Sequence, residues 1–242
     1  MKKSTVFVVV AMVFGIIVLC GLGTWQVKRL FWKEELIARV EQRTSLAPME
    51  ITEFLDRQML EDNWPYSPVM VEGIYDHSRE VYFFTTSRAG RSGWNVHTPM
   101  LLKNGKYLIV NRGFVPFDLQ NPNDRLEGQV DGKQALSGLV RVPQTQRPNG
   151  WFPDNNPQAR ELYWRDHALM TQLMGREEGR DFVPFFVDAT ETQVPGDWPQ
   201  SGTTIISFPN NHLQYAVTWY GLALALLGVG SYFIYSRRQS ND

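Results

Sequence analysis

Four histidines, His77, His97, His167 and His212, and one cysteine, Cys20, are the side chains in this sequence best suited to bind a metal or carry a proton near neutral pH. No two of the histidines fall at the H-x-x-x-H spacing that sets two rings on one helix face. Cys20 has no second thiol with which to hold zinc or copper, and it lies inside an apolar run. The G-x-S-x-G elbow, the P-loop and the Rossmann glycine run are absent as well. With no catalytic constellation, the chain reads as a non-enzyme. His97, in a strand pattern, and His167, in a helical one, read as ordinary packed or exposed residues.

His212 stands in a more informative setting. Its lead-in is Ser207-Phe-Pro-Asn-Asn, and from Leu213 to Tyr235 no charged residue occurs. That run is long enough to cross a hydrocarbon core, which takes about 20 residues. Pro209 stops what precedes, Asn211 can cap the helix, and Gln214 stands where a capping box has its second partner. His212 then falls in the first turn, at the boundary between water and membrane. The positive end of the helix dipole disfavours an imidazolium there, leaving the neutral ring that can bind a metal. At helical spacing His212, Tyr215, Ala216, Trp219 and Ala223 share one face. Two readings stand: an interfacial aromatic belt containing a His, and a ligand site.

Arg112, in Asn111-Arg-Gly-Phe-Val-Pro116, also has two readings. It is either an exposed or paired residue where a strand leaves its sheet through a Gly-Pro turn, or a guanidinium that clamps an anionic group.

The elements that must carry these residues begin with the ends of the chain. Lys2 and Lys3 are followed by an uncharged run from Thr5 to Trp25. Its length fits a retained transmembrane helix better than a signal peptide, whose apolar core is shorter and ends at an A-x-A-like site. Leu19 before Cys20 argues against a lipoprotein signal. Arg237 and Arg238 close the second span, while residues 203–212 on its other side carry no Lys or Arg. Both termini are thus expected inside and the middle of the chain outside, despite Lys28, Arg29 and Lys33 beyond the first span. The few residues before that span leave no room for an organellar transit peptide, which points to a bacterial inner membrane with a periplasmic domain. Small residues (Ala11 and Gly15 in the first span, Ala216, Ala223, Gly228 and Gly230 in the second) favour close pairing of the two helices. Beyond the first span Trp25, Trp32, Leu36 and Val40 recur at helical spacing among charges, an amphipathic continuation. The expected layout is a first transmembrane helix over 5–27, a β-rich domain over 28–211, a second transmembrane helix over 212–235 and a tail over 236–242.

Between the spans the period changes from helical to alternating. A short helix is expected over Met49–Leu60. Strands are expected over Val69–Tyr75, Glu80–Thr85, Trp94–Leu102, Lys106–Asn111, Gln134–Val142 and Asp181–Asp188. Asn104-Gly105 between two apolar runs signals a hairpin. Pro184 should confine the last strand to an edge or a bulge. Trp164–Met174 reads as a helix ended by Gly175. The stretch from Phe117 to Lys133, rich in Asn, Asp, Gly and Pro, reads as a mobile or partner-facing loop. The fold class is α+β: two transmembrane helices flanking an antiparallel β barrel or sandwich with accessory helices. With 242 residues, 43% apolar, 20% charged and net charge -1, no electrostatic case for nucleic acid arises.

Five motifs in order resemble one family. They are Gly23-Thr-Trp-Gln-Val-Lys-Arg29 with Trp32-Lys33, Gly93-Trp-Asn-Val-His-Thr-Pro99, Asn111-Arg-Gly-Phe-Val-Pro116, Asn156-Pro157 with Trp164-Arg-Asp166, and Asn211-His-Leu-Gln-Tyr-Ala-Val-Thr-Trp219. Together they resemble the surfeit locus, or Shy, family of cytochrome c oxidase biogenesis proteins; Phe114 departs from it, where a Trp is common. The resemblance implies an assembly factor for a haem-copper terminal oxidase that supports haem a binding or insertion into the catalytic subunit. The implied partners are that subunit and haem a synthase. His212 takes the position of the family's proposed iron ligand; Tyr215 and Trp219 would wall a macrocycle, and Trp25 and Arg29 would lie near the same membrane depth, where a propionate needs a cation. The alternative is a membrane scaffold that stabilises a subunit intermediate without touching haem. Copper delivery would need Cys or Met ligand pairs, which Cys20 cannot supply.

Overall fold

A helix of 42 residues, α1 (Lys3–Thr44), opens the chain. At about 1.5 Å per residue it is far longer than a bilayer requires. The apolar span and its amphipathic continuation are therefore one unbroken element, because no proline interrupts its backbone ladder. The last element, α4 (His212–Gln239), has 28 residues. Each contains a window long and apolar enough to cross a membrane, and only 6% of either window is buried within the protein. Apolar faces left so bare in water would be costly, whereas lipid tails cover them without loss. The arrangement fits a two-pass membrane protein. This computed structural model describes residues 3–58, 65–87, 89–144, 146–190, 193–202 and 209–239. The chain divides into two units, Met1–Glu41 with Ser207–Asp242, and Gln42–Ile206.

The first unit is an antiparallel helix pair with small residues at the crossing. A Cβ added at Gly15 would lie 2.9 Å from Leu226 Cδ2, and one at Gly23 would lie 2.9 Å from Tyr220 Cζ. Gly230 leaves no room for a Cβ beside the Met12 side chain. Along α4, Ala216 and Ala223 are buried, and His212, Trp219, Leu226 and Gly230 continue their line at intervals of three and four.

The second unit is built on strands. In chain order they are β1 (Met49–Glu50), β2 (Pro68–Tyr75), β3 (Val81–Thr86), β4 (Ser92–Leu102), β5 (Tyr107–Pro116), β6 (Lys133–Arg141), β7 (Glu161–Leu162) and β8 (Phe182–Ala189). Two short helices accompany them, α2 (Ile51–Gln58) and α3 (His167–Leu173). The sheet order is β1-β2-β6-β8-β5-β4-β3-β7, and β2 also pairs with β4 through Gly73–Tyr75 against Met100–Leu102. That extra pairing closes β2, β6, β8, β5 and β4 into a five-stranded barrel, which removes its edges. The expected antiparallel pattern is corrected in part: β5–β8, β1–β2 and β3–β7 run parallel. Met49 and Glu50, expected to open a helix, instead form β1; residues 59 and 60 of that expected helix lie outside the described residues.

Val69, Val71, Met100, Leu108, Val110 and Phe185 belong to the largest buried cluster, closed by Ile51 and Phe54 of α2. Phe54 meets Phe185 edge-on with centroids 5.7 Å apart. Ile109 and Phe186, of alternate parity, pack instead with Met170 and Met174 of α3 and its C-terminus. β5 is thus apolar on both faces and reads as a continuous run, not an alternation. Asp166 caps α3 by accepting from Leu169 N at 3.0 Å, and Gly175 ends it at a φ of 102°. Pro184 lies at an irregularity between β5 and β8, so the bulge expectation holds while the edge expectation does not; β8 is interior to the sheet.

Candidate functional site

Three of the four histidines are tied to backbone carbonyls in the strand-built unit. His77 Nε2 donates to Val130 O at 3.0 Å, and His167 Nε2 to Val183 O at 2.9 Å. His97, fully buried, has Nδ1 3.3 Å from Asn95 O while its Nε2 has no hydrogen-bond partner. Burial pushes His97 down to about 4, reinforced by Arg165 and opposed by Asp188, so its ring is neutral at physiological pH. These rings are packing and bonding elements of the fold.

His212 differs. It is the first residue of α4, half-buried, with Nδ1 2.7 Å from Oε1 of Gln26 on α1. Gln26 is only 9% exposed although it sits in a helix whose other faces are open. Its position in the seam explains that burial: Gly23, three residues earlier, lets the two helices approach. With the amide oxygen facing Nδ1, a neutral ring would carry its proton there and keep its lone pair on Nε2. On the same face Trp219 is half-buried and Ala216 and Ala223 are buried, while Tyr215 is exposed. On α1, Trp25 is exposed, and the Arg29 guanidinium stacks over Trp32 at 4.4 Å from the ring centroid. Tyr220 reaches back to α1 with its hydroxyl 2.9 Å from Thr24 Oγ1. The partner brought to His212 is therefore Gln26, which sequence reading did not single out. The only local signal was a polar residue three positions from Gly23 on a helix that elsewhere uses glycine for packing.

Among the described residues no three His, Cys, Asp or Glu side chains gather closely enough to chelate an ion. A lone imidazole does not hold a bare divalent ion against water, but haem iron, already held by its macrocycle, takes a single axial imidazole. The donor set at His212 fits the second kind of metal.

Arg112 occupies the bulge of β5, where His97 pairs Asn111 and Val96 pairs Gly113, so Arg112 is the extra residue. The bulge turns its side chain to a buried cluster. Arg112 Nη1 lies 3.3 Å from Glu80 Oε1 and 3.1 Å from His77 Nδ1, and Nη2 donates to Gly128 O. Arg125 donates to the other Glu80 oxygen. Burial alone would push the Glu80 carboxyl up, but contacts from His77, Arg125 and Arg112 outweigh it and hold it down at about 2. Arg112 is thus paired, and the anion it holds belongs to its own chain. The stretch from Phe117 to Lys133, expected as a mobile or partner-facing loop, carries two 3-10 turns and buries Arg125.

A second buried carboxylate, Asp188, accepts from Asn111 Nδ2 at 2.9 Å and lies 3.5 Å from Arg141 Nη1. Burial pushes it up, and Arg165 and Arg141 more than reverse this.

Comparison with known proteins follows the same residues. The SURF1 family model matches residues 13–224, from within α1 to within α4, and so spans Gln26, the barrel and His212. Surfeit locus protein 1 of Homo sapiens is 39% identical over 222 residues, covering 85% of this chain and 70% of the human protein. The protein of the same name from Takifugu rubripes is 37% identical, covering 85% of this chain and 88% of its own length. A SURF1-like protein of Monosiga brevicollis is 34% identical over 93% of this chain and 86% of that protein.

Proposed function

We propose that this chain, which belongs to the SURF1 family, is a membrane-anchored assembly factor for a haem-copper terminal oxidase, cytochrome c oxidase, and holds haem a as cargo for the catalytic subunit. The observation that carries the haem part is the imidazole of His212, held through Nδ1 by Gln26 at 2.7 Å with Nε2 left as its donor atom. In this reading His212 is the axial ligand, Tyr215, Trp219 and Trp25 supply aromatic surface to the macrocycle, and Arg29 supplies a cation for a propionate. The chain performs no bond chemistry on the cargo. Its work is to bind a poorly soluble, redox-active molecule at the membrane surface and yield it to the oxidase subunit, with haem a synthase as the source.

The reading sets the chain in a bacterial inner membrane with both termini cytoplasmic and the barrel periplasmic. Its support is the placement of Lys2, Lys3, Arg237 and Arg238 against the uncharged stretch 203–212. A reporter active only in the cytoplasm, fused at Asn123, should be silent; activity there would reverse the topology.

The haem reading is tested on detergent-purified full-length protein loaded with haem a. A Soret band that co-purifies at one haem per chain is the expected result, and no retention above detergent background would overturn it. One observation favours the alternative, a scaffold that never touches haem: Trp151 is 96% exposed beside Phe152, an aromatic surface suited to another protein. Haem a per surviving oxidase in a deletion strain separates the two. Deficient oxidase supports cargo handling; scarce but fully loaded oxidase supports the scaffold.

A further inference from the structure

Gln26 lies 186 residues from His212 in sequence and within hydrogen-bond distance of it in space. A polar side chain in the seam of an apolar helix pair is expensive to bury, so its bond to a ring calls for an account. Helix association alone is a weak one. Interhelical hydrogen bonds in membranes add little to association on average, because the separated helices find other partners. The crossing is already formed by Gly15, Gly23, Ala216, Ala223 and Gly230, whose small size lets the backbones approach.

We propose that Gln26 is the positioning residue of the His212 site, an inference that rests on the haem reading given above. Its Oε1 accepts the Nδ1 proton, which fixes one of the two neutral tautomers and presents the Nε2 lone pair to iron. It also stops the ring from turning about Cβ–Cγ, because rotation would break the bond. A ligating histidine is commonly held in this way through its other nitrogen, and loss of such a partner costs about 10- to 100-fold in metal affinity. The site is consequently made by both helices: the ligand comes from α4 and its orientation from α1. Neither helix alone would suffice.

The opposite amide rotamer makes the alternative explicit. If Gln26 donated its Nε2–H to Nδ1, the ring proton would sit on Nε2 and no donor lone pair would remain for iron. The two cases differ in a quantity that needs no haem. Nitrogen-15 spectra of His212 in the full-length protein without haem should show a protonated Nδ1 and an unprotonated Nε2. The reverse assignment would overturn the proposal by itself.

With haem a, Gln26→Leu should weaken binding at least tenfold and move or broaden the Soret band, because the tautomer is no longer fixed. Gln26→Glu, which keeps an acceptor at the same reach, should restore binding to within a few-fold of the wild type. Gln26→Leu binding with unchanged affinity and spectrum, while wild-type protein binds haem, would refute the role of Gln26 and leave the haem reading intact. Failure of the wild type to bind would instead remove the haem reading, and the nitrogen-15 result would then stand as a structural fact only. An unchanged α1–α4 cross-linking yield in Gln26→Leu keeps loss of binding distinct from loss of helix pairing.

Discussion

Glu80 and Arg125 meet with both side chains 1% exposed, and Arg112, 4% exposed, shares the same carboxylate. Two guanidiniums on one carboxylate leave the cluster net positive. The carbonyls of Gly128 and Leu119, which accept from Arg112 and Arg125, absorb part of that excess. Such clusters add little net stability over an apolar core, but removing one member is costly because a buried charge loses its counterpart.

Glu80→Gln should therefore destabilise the strand-built unit by about 3–5 kcal/mol, the range for breaking a buried ion pair. Denaturant midpoints in detergent for the full chain and the variant would measure it. A loss below about 1 kcal/mol would mean that water screens the cluster.

The pH dependence has two stages, and both signs can be worked out. His97 is lowered from 6.5 to about 4, so the unfolded chain binds its proton first and stability falls as pH drops from 6.5 towards 4. Glu80 is lowered from 4.5 to about 2, so its contribution is complete above 4.5 and is lost as pH falls through 2. The unfolding midpoint should decline in two steps, and His97→Asn should shrink the upper one, to which His167, also lowered by burial, contributes as well. A single step below pH 4.5 in the wild type would show that His97 is not held neutral by burial.

The hairpin at Asn104-Gly105 and the strands on either side were legible because alternation and turn chemistry are local. The path of β5 past Asn111 was not. Arg112-Gly113 and Pro116 look like a strand ending in a turn, yet Gly113 takes a φ of 122° within a bulge and the strand runs on to Pro116. Parallel pairing of β5 with β8 leaves no mark in either segment, since period-two patterning reports faces and not neighbours. The partners Glu80 and Arg125 are 45 residues apart and exist as a pair only in the folded unit. Gln26 was missed for a related reason: on α1 alone it resembles any juxtamembrane polar residue, and only the crossing with α4 sets it opposite His212. The start of α4 at His212 was legible because span length is again local.

Gly113 gives the Asn-Arg-Gly segment a physical basis. A Cβ there would run into the Gln200 carbonyl, which accepts from Phe114 N at 2.8 Å, at a φ that L side chains rarely adopt. Gly113→Ala should cost about 2–4 kcal/mol, combining left-handed strain with a backbone collision. Thermal unfolding of the full chain measures this, and a wild-type midpoint would show that the bulge can relax.

Gly23 plays a comparable role in the helix pair. The Tyr220 ring is 2.9 Å from where its Cβ would lie, and that ring is held by the Thr24 hydroxyl. Gly23→Ile should push α1 from α4 and reduce disulfide formation between Gly15→Cys and Leu226→Cys, in a Cys20→Ser background, several-fold. Haem loading should fall with it, because Gln26 would leave His212. Undiminished cross-linking would place the close approach elsewhere along the seam.

His212→Ala is the decisive substitution for the ligand itself. The ring is half-buried at a helix start, so its loss costs mainly the pairing of the buried Gln26 amide, and the variant should still insert and fold with a loss of about 1–3 kcal/mol. Its haem a content should collapse, since the axial nitrogen is gone, and free imidazole should partly restore a Soret band by entering the space left behind. His97→Ala and His167→Ala should leave the haem signal alone. Both rings are packed against Phe186, so their loss should destabilise the strand-built unit by about 1–3 kcal/mol while the spectrum stays put. The contrast matters because a merely unstable protein also loses haem. If His212→Ala keeps full haem content with an unaltered spectrum, iron is held by another residue or not at all, and His212 is then an interfacial histidine in an aromatic belt, tied to Gln26 for helix pairing alone.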